Sequence, residues 1–317
     1  MKEPPRTALL LDPVYRKHDT GEGHPEAISR YVAVTEALEK EKLPGALAAV
    51  AQRPATEDEV ALCHSRGYVE TAKRDIRSGL HNLTTGDTAV SSDSMEVALR
   101  AAGGVCNAVD AVASGKVKNA FCAVRPPGHH ATPNRGMGFC VFNNIAIGAR
   151  YGQKKHGFER VLIADWDVHH GNGTQDIFYE DGTVLFLSTH QHPWYPGSGM
   201  PEERGEGKGE GRIHNFPFPA GAGRNEILPV FQKHLMDAAT AFKPDLVMIS
   251  AGFDSRTGDP LGRFRLTDAD FHDMTVALME IADRFCSGRL VSVLEGGYSL
   301  SGLAAGVTAH VKTLAGI

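Results

Sequence analysis

Six short runs of apolar, β-favouring residues constrain the fold of this chain more than any other feature: TALLLD at 7–12, AFCAV at 120–124, VLIADWD at 161–167, TVLFLS at 183–188, LVMIS at 246–250 and LVSVL at 290–294. They are apolar at successive rather than alternate positions, so each would be buried on both faces, as a strand inside a parallel sheet is. Longer segments of helical period lie between them, at 94–114, 143–156, 225–242 and 268–285. Strands alternating with helices predict a doubly wound α/β architecture, a parallel sheet covered on both sides. The 317 residues show no long repeat and no Pro/Ser-rich linker, so a single domain over 1–317 is expected. The stretch HQHPWYPGSGMPEERGEGKGEGR at 190–212 is too rich in glycine and charge for a core and is expected to be a surface loop near the site.

Composition excludes several functions. A net charge of -5 gives no global attraction to nucleic acid or to an anionic membrane. No apolar run approaches the roughly 18 residues of a membrane span, and the first apolar stretch is too short for a secretory signal. A cytoplasmic protein with neither nucleic acid nor membrane as partner is expected, and a homo-oligomer is compatible with the sequence. The five cysteines, Cys63, Cys106, Cys122, Cys140 and Cys286, are scattered and lack CxxC spacing, so they read as free thiols filling the core.

Four polar clusters directly follow apolar runs: RPPGHHA after 120–124, DVHHGNGTQ after 161–165, AGFDSRTGDP after 246–250 and EGGYS after 290–294. Ligands of open α/β sheets bind beyond the carboxyl ends of the strands, so the four clusters converge on one site. In extended backbone Asp165, Asp167 and His169 share a face while Trp166 and Val168 take the other. Asp167 and His169 can then chelate one divalent ion, and mixed oxygen and nitrogen donors suit Zn²⁺, Fe²⁺, Co²⁺ or Mn²⁺ better than Ca²⁺ or Mg²⁺. A third ligand should come from another strand end. Asp254 is the natural candidate and Asp259 its competitor, although Gly258 and Pro260 suggest a turn in which Asp259 caps its own backbone. His129 and His130, reached through Pro126-Pro127-Gly128, supply two imidazoles suited to proton transfer, with Asp165 and Asn172 as nearby orienting groups. Tyr298 follows two glycines, and its phenol could donate to a developing oxyanion.

Together these motifs resemble the histone deacetylase superfamily, and within it the class II and bacterial deacetylase-like amidohydrolases. The matching segments are VRPPGHHA, GMGFCVFNNIAIGA, DWDVHHGNGTQDIFY, SAGFDSRTGDPLG and LEGGYSL, with TGEGHPE and Arg30 similar to the family's N-terminal segment. The resemblance implies an arginase/deacetylase-like three-layer α/β fold with a central, mainly parallel eight-stranded sheet. It implies one Zn²⁺ on Asp167, His169 and Asp254, with a water held by His129 and His130 attacking an acyl carbonyl that the metal and Tyr298 polarise. His130 would pass the proton to the leaving amine, His129 would pair with Asp165, and His130 with Asn172. Gly138, Phe139, Tyr195 and Leu261 would line the substrate channel. A structural K⁺ would sit on Asp165, Ser188 and the backbone carbonyls of Asp167, His169 and Thr189.

The expected function is hydrolysis of an N-acetyl or related N-acyl amide on a lysine side chain, in a peptide or protein, or on a small amine. An acetylpolyamine amidohydrolase is the alternative: Leu261 stands where polyamine-selective eukaryotic relatives carry Glu, but Asp87 or Asp93 could meet a distant ammonium. An arginase-type ureohydrolase would need further acids where His170 and Gly171 stand, and an inactive binding module would not keep every ligand, both histidines and the tyrosine.

Overall fold

The computed structural model describes residues 6–317. Eight strands form one sheet: β1 (Thr7–Leu10), β2 (Ala48–Ala49), β3 (Asn119–Cys122), β4 (Val161–Asp165), β5 (Val184–Gln191), β6 (Ile213–Phe218), β7 (Leu246–Ala251) and β8 (Leu290–Leu294). The order is β2-β1-β3-β8-β7-β4-β5-β6 and every pairing is parallel. All carboxyl ends therefore open on the same edge. The four strands that precede the polar clusters, β3, β8, β7 and β4, are contiguous in the sheet. Their register is tight: Asp165 at the end of β4 lies beside Ser250 of β7 on one side and Ser188 of β5 on the other.

Helices cover both faces, as wholly buried strands require. Ser94–Ala113 packs on Asn144–His156, while Ile28–Lys40 and Asp268–Phe285 each pack on Leu300–Ala315 in a second layer. Residue choice fixes several helix starts next to the site. The Asn143 side chain accepts the Ala146 N–H at the start of Asn144–His156, and Ser299 does the same for Gly302 at the start of Leu300–Ala315. All five cysteines are buried and free, as core filler. No helix among the described residues is long and apolar enough to cross a membrane.

The structure corrects the sequence reading at four places. Strands β2 and β6 were not expected. Ala48–Ala49 is only two residues long, and IHNFPF is a half-buried edge strand carrying Pro217, so neither shows a continuous apolar run. The segment 225–242 is not one helix: Arg224–Pro229 passes into a π-helical turn at Val230–His234 before Leu235–Phe242 resumes. Pro229 lacks the N–H that regular α-helical bonding needs there. The glycine-rich stretch begins later than 190, because His190 and Gln191 belong to β5 and are buried, paired in register with Pro217 and Phe218 of β6. Finally, β4 ends at Asp165 rather than running through Asp167. The two-faced arrangement survives in the irregular backbone beyond it: Trp166 packs on Phe231, Phe271 and His310, while Asp167 and His169 turn toward the polar side.

Candidate active site

Asp167, His169 and Asp254 come together just beyond β4 and β7, each buried, with one ligand atom apiece and those atoms within 4.8 Å of one another. His169 Nδ1 lies 3.0 Å from Asp167 Oδ1 and 3.2 Å from Asp254 Oδ2. Asp254 Oδ2 has no aligned hydrogen-bond donor, a buried carboxylate oxygen without a partner. Burial, and next the charge of Asp167, pushes Asp254 up to about 7. Two carboxylates this close call for a cation at their centre. Glycines make the approach feasible: a Cβ on Gly296 would stand 2.6 Å from Asp167 Oδ2, and one on Gly252 2.5 Å from Asp167 Cγ. The imidazole nitrogen lies about 3 Å from one oxygen of each carboxylate, near the edge length of a tetrahedral site with bonds of about 2.0–2.1 Å. These three residues could hold a divalent ion. Asp259 is not among them. Its Oδ1 accepts the Leu261 N–H at 2.9 Å, capping its own turn, and its Oδ2 accepts the N–H groups of Tyr298 and Ser299.

The two histidines follow β3 and face the same centre. His129 Nδ1 is 2.9 Å from Asp165 Oδ2 and His130 Nδ1 is 2.8 Å from Asn172 Oδ1, with the two rings 4.1 Å apart. Their proton affinities diverge. Burial works against protonating His129, but the charges of Asp165 and Asp167 prevail and hold it up at about 10. His130 falls well below its ordinary value, through burial and then the charges of His129 and His169, with only a neutral amide as partner. One residue here escaped the sequence reading. Glu295, buried at the end of β8, accepts the N–H groups of Gly128 and His129 at 2.7 and 3.1 Å and the Ser250 hydroxyl at 3.2 Å. It fixes the turn that aims both imidazoles, and its only sequence signal is an acid directly after an apolar strand.

Tyr298 stands on the turn after β8. The Arg30 guanidinium lies 5.0 Å from its ring centroid and donates to the carbonyls of Glu295 and Gly297 at 2.5 and 2.6 Å, flanking the turn. Arg30 and Arg125 both pair with Glu26, Arg125 through two bonds of 2.6 and 2.8 Å and Arg30 through one of 2.9 Å. All three side chains are buried, and the two guanidiniums hold Glu26 down at about 2 against its burial. Glu26 and Arg125 were also missed as site-building residues.

A cavity of ≈ 240 Å³ leads from the surface to His130, His169 and Tyr298. Its walls are largely apolar and include Gly138, Phe139, Tyr195 and Leu261, all expected there, together with Trp194 and Asp87. Asp93, the other acid considered for the mouth, is at the N-terminus of Ser94–Ala113 instead. Ser188, proposed for K⁺, bonds His190 Nδ1 at 2.9 Å through its hydroxyl, and Asp165 Oδ1 accepts the Asp167 N–H. Thr189 is buried beside it on β5.

The chain is similar to known proteins over nearly all of its length. The family model described as histone deacetylase domain matches residues 24–314. The chain is 41% identical over 311 residues to "Histone deacetylase 10, chloroplastic" of Oryza sativa subsp. japonica, covering 93% of this chain and 70% of that one. It is 41% identical over 298 residues to a "Probable deacetylase" of Archaeoglobus fulgidus, covering 93% and 82%. With the "Histone deacetylase-like amidohydrolase" of Pseudomonas aeruginosa it shares 37% over 278 residues, covering 87% and 73%. Among solved structures, the HDA15 HD domain superposes with a TM-score of 0.93 at 37% identity, over 98% of this chain and 90% of that one. The fold is accordingly arginase/deacetylase-like, and the chain, a hydrolase of amide bonds, belongs to the histone deacetylase family.

Proposed function

We propose that this protein is a one-zinc deacylase that removes an acetyl or similar short acyl group from the side-chain amine of lysine, acting as a single catalytic domain. The observation that carries the reading is the buried Asp167–His169–Asp254 cluster beside the His129–His130 pair at the floor of a narrow apolar channel. Zn²⁺, once bound by Asp167, His169 and Asp254, would supply Lewis-acid activation of water and of the acyl carbonyl. The rest falls to the chain's own groups. His130 carries its proton on Nδ1, donating it to Asn172 Oδ1, which leaves Nε2 as the base that takes a proton from the attacking water. The resulting imidazolium returns that proton to the leaving amine. His129, its Nδ1 held by Asp165 Oδ2, presents Nε2 to the nucleophile and orients it. Tyr298 keeps its phenol proton, since burial raises it far above its ordinary value, and can donate to the developing oxyanion. Phe139 and Tyr195 exclude water around the alkyl chain. A structural K⁺ remains part of this reading, resting on backbone carbonyls of Asp167, His169 and Thr189 with Asp165 and Ser188.

Asp87 favours a second reading, an acetylpolyamine substrate, because it places a carboxylate on the channel wall where a distant ammonium would pass. Leu261 on the same wall favours a neutral chain. Zinc-loaded protein assayed on an acetyl-lysine peptide and on an acetylated polyamine decides between them by the ratio of kcat/KM values. No turnover of either, or full activity in Asp254→Ala, would overturn the proposed site.

A further inference from the structure

We propose that Asp87 is a specificity-determining residue, whose carboxylate ties the two aromatic walls of the channel together and so sets its bore. The inference rests on the deacylase reading of the same site. Asp87 Oδ1 accepts the backbone N–H of Gly138 at 2.7 Å and the hydroxyl of Tyr195 at 3.3 Å. These groups lie on loops far apart in sequence, 51 and 108 residues from Asp87, and each carries a wall of the cavity. One oxygen therefore fixes the spacing of the two surfaces, and no other side-chain hydrogen bond among the described residues connects them.

Both walls depend on such an anchor. Gly138 and Phe139 have φ of 57° and 67°, so a phenylalanine stands in left-handed backbone. A conformation of that kind persists only where surrounding bonds hold it. On the opposite side, Tyr195 is 37% exposed and turns its ring edgewise against His130 at 5.2 Å. Its neighbour Trp194 donates to the Leu261 carbonyl at 2.8 Å. The loop thus forms an arch over the channel, pinned at one foot to Leu261 and at the other, through the Tyr195 hydroxyl, to Asp87. Removing that hydroxyl frees one foot while leaving the ring to cover the channel.

The test uses full-length zinc-loaded protein and two uncleaved probes, an unbranched alkyl hydroxamate and one with a phenyl ring in its chain, with Kd measured by calorimetry. Tyr195→Phe and Asp87→Ala are expected to shift the Kd ratio toward the ring-bearing probe by about 3- to 10-fold, the range for loss of one exposed hydrogen bond. Asp87→Asn, which keeps an acceptor oxygen, retains the wild-type ratio. Zinc content stays at the wild-type value in all three and the melting temperature falls by no more than about 4 °C, the loss expected for about 1 kcal/mol of hydrogen bonding, which separates a set bore from a damaged fold. An unchanged ratio in Tyr195→Phe and Asp87→Ala overturns the proposal, and so does an Asp87→Asn ratio equal to that of Asp87→Ala, which would make charge rather than the tie responsible. Turnover of acetyl-lysine peptide is measured in parallel. Shifted ratios without any turnover would retain the tie and refute the deacylase reading alone.

Discussion

Gly138→Ala tests how closely the channel wall is fitted to the proposed base. A Cβ at this position would stand 2.7 Å from His130 Cγ and closer still to Cδ2, on backbone with φ 57°. The left-handed conformation costs an L-residue about 1–2 kcal/mol, and forcing a methyl into a filled space adds about 1–3 kcal/mol. If the backbone yields, the variant loses about 2–5 kcal/mol of stability. If His130 yields, its ring must leave Asn172 Oδ1, now 2.8 Å away, and kcat falls by about 10²-fold or more while stability falls only by the conformational cost of about 1–2 kcal/mol. Gly157→Ala is the control. It has φ 69° with no heavy atom within 4 Å of the new Cβ, so it carries the conformational cost of about 1–2 kcal/mol without the clash. Urea unfolding and kcat on an acetyl-lysine peptide, measured for both variants, separate the two responses. A Gly138→Ala protein no less stable than Gly157→Ala and with wild-type kcat would refute the placement of His130 against this wall.

Three further perturbations follow from the same geometry. Chelation should lower the melting temperature and zinc restore it, since binding at a thousandfold excess over Kd stabilises by about 4 kcal/mol; zinc that stabilises Asp254→Ala equally would place the ion elsewhere. Asp259→Asn keeps one acceptor oxygen where the carboxylate uses two, so either Leu261 or the Tyr298–Ser299 turn comes loose, and kcat/KM should fall by about tenfold; unchanged kinetics would count against Asp259 as the support of Tyr298. Glu26 is held at about 2 against an ordinary 4.5, which by linkage stabilises the fold by about 3 kcal/mol above pH 4.5. Because the folded-state value is depressed, that contribution disappears as pH falls from 4.5 toward 2, and unfolding free energies flat over this range would contradict it.

What could be read in advance follows from where the physical signal lies in the chain. Strands β3, β4, β7 and β8 announce themselves because central parallel strands are apolar at every position, and their polar ends mark the site. Strand β6 is half-buried at an edge, and β2 is only two residues long, so neither leaves such a trace. The pairing of Asp167 with His169 is a matter of near neighbours. Asp254, 85 residues after His169, came from plausibility and the family resemblance rather than from spacing.

The residues that were missed share a different character. Glu295 reaches Gly128 across 167 positions, and Glu26 reaches Arg125 across 99. Neither contact has a periodicity or a motif spacing, because the first exists only once β3 and β8 lie side by side and the second only once the segment before helix Ile28–Lys40 folds against the turn after β3. Their function is of the same kind: they accept from backbone or from buried guanidiniums and hold the turns that carry His129, His130 and Tyr298. A chemical group that meets substrate must have the right residue type and shows in sequence as an unexpected His, Asp or Tyr at a strand end. A group that holds such a residue in place needs only an oxygen at the right point in space. Asp259 illustrates the division within one residue, since its bond to Leu261 was legible as a local turn and its bonds to Tyr298 and Ser299, some 40 residues away, were not.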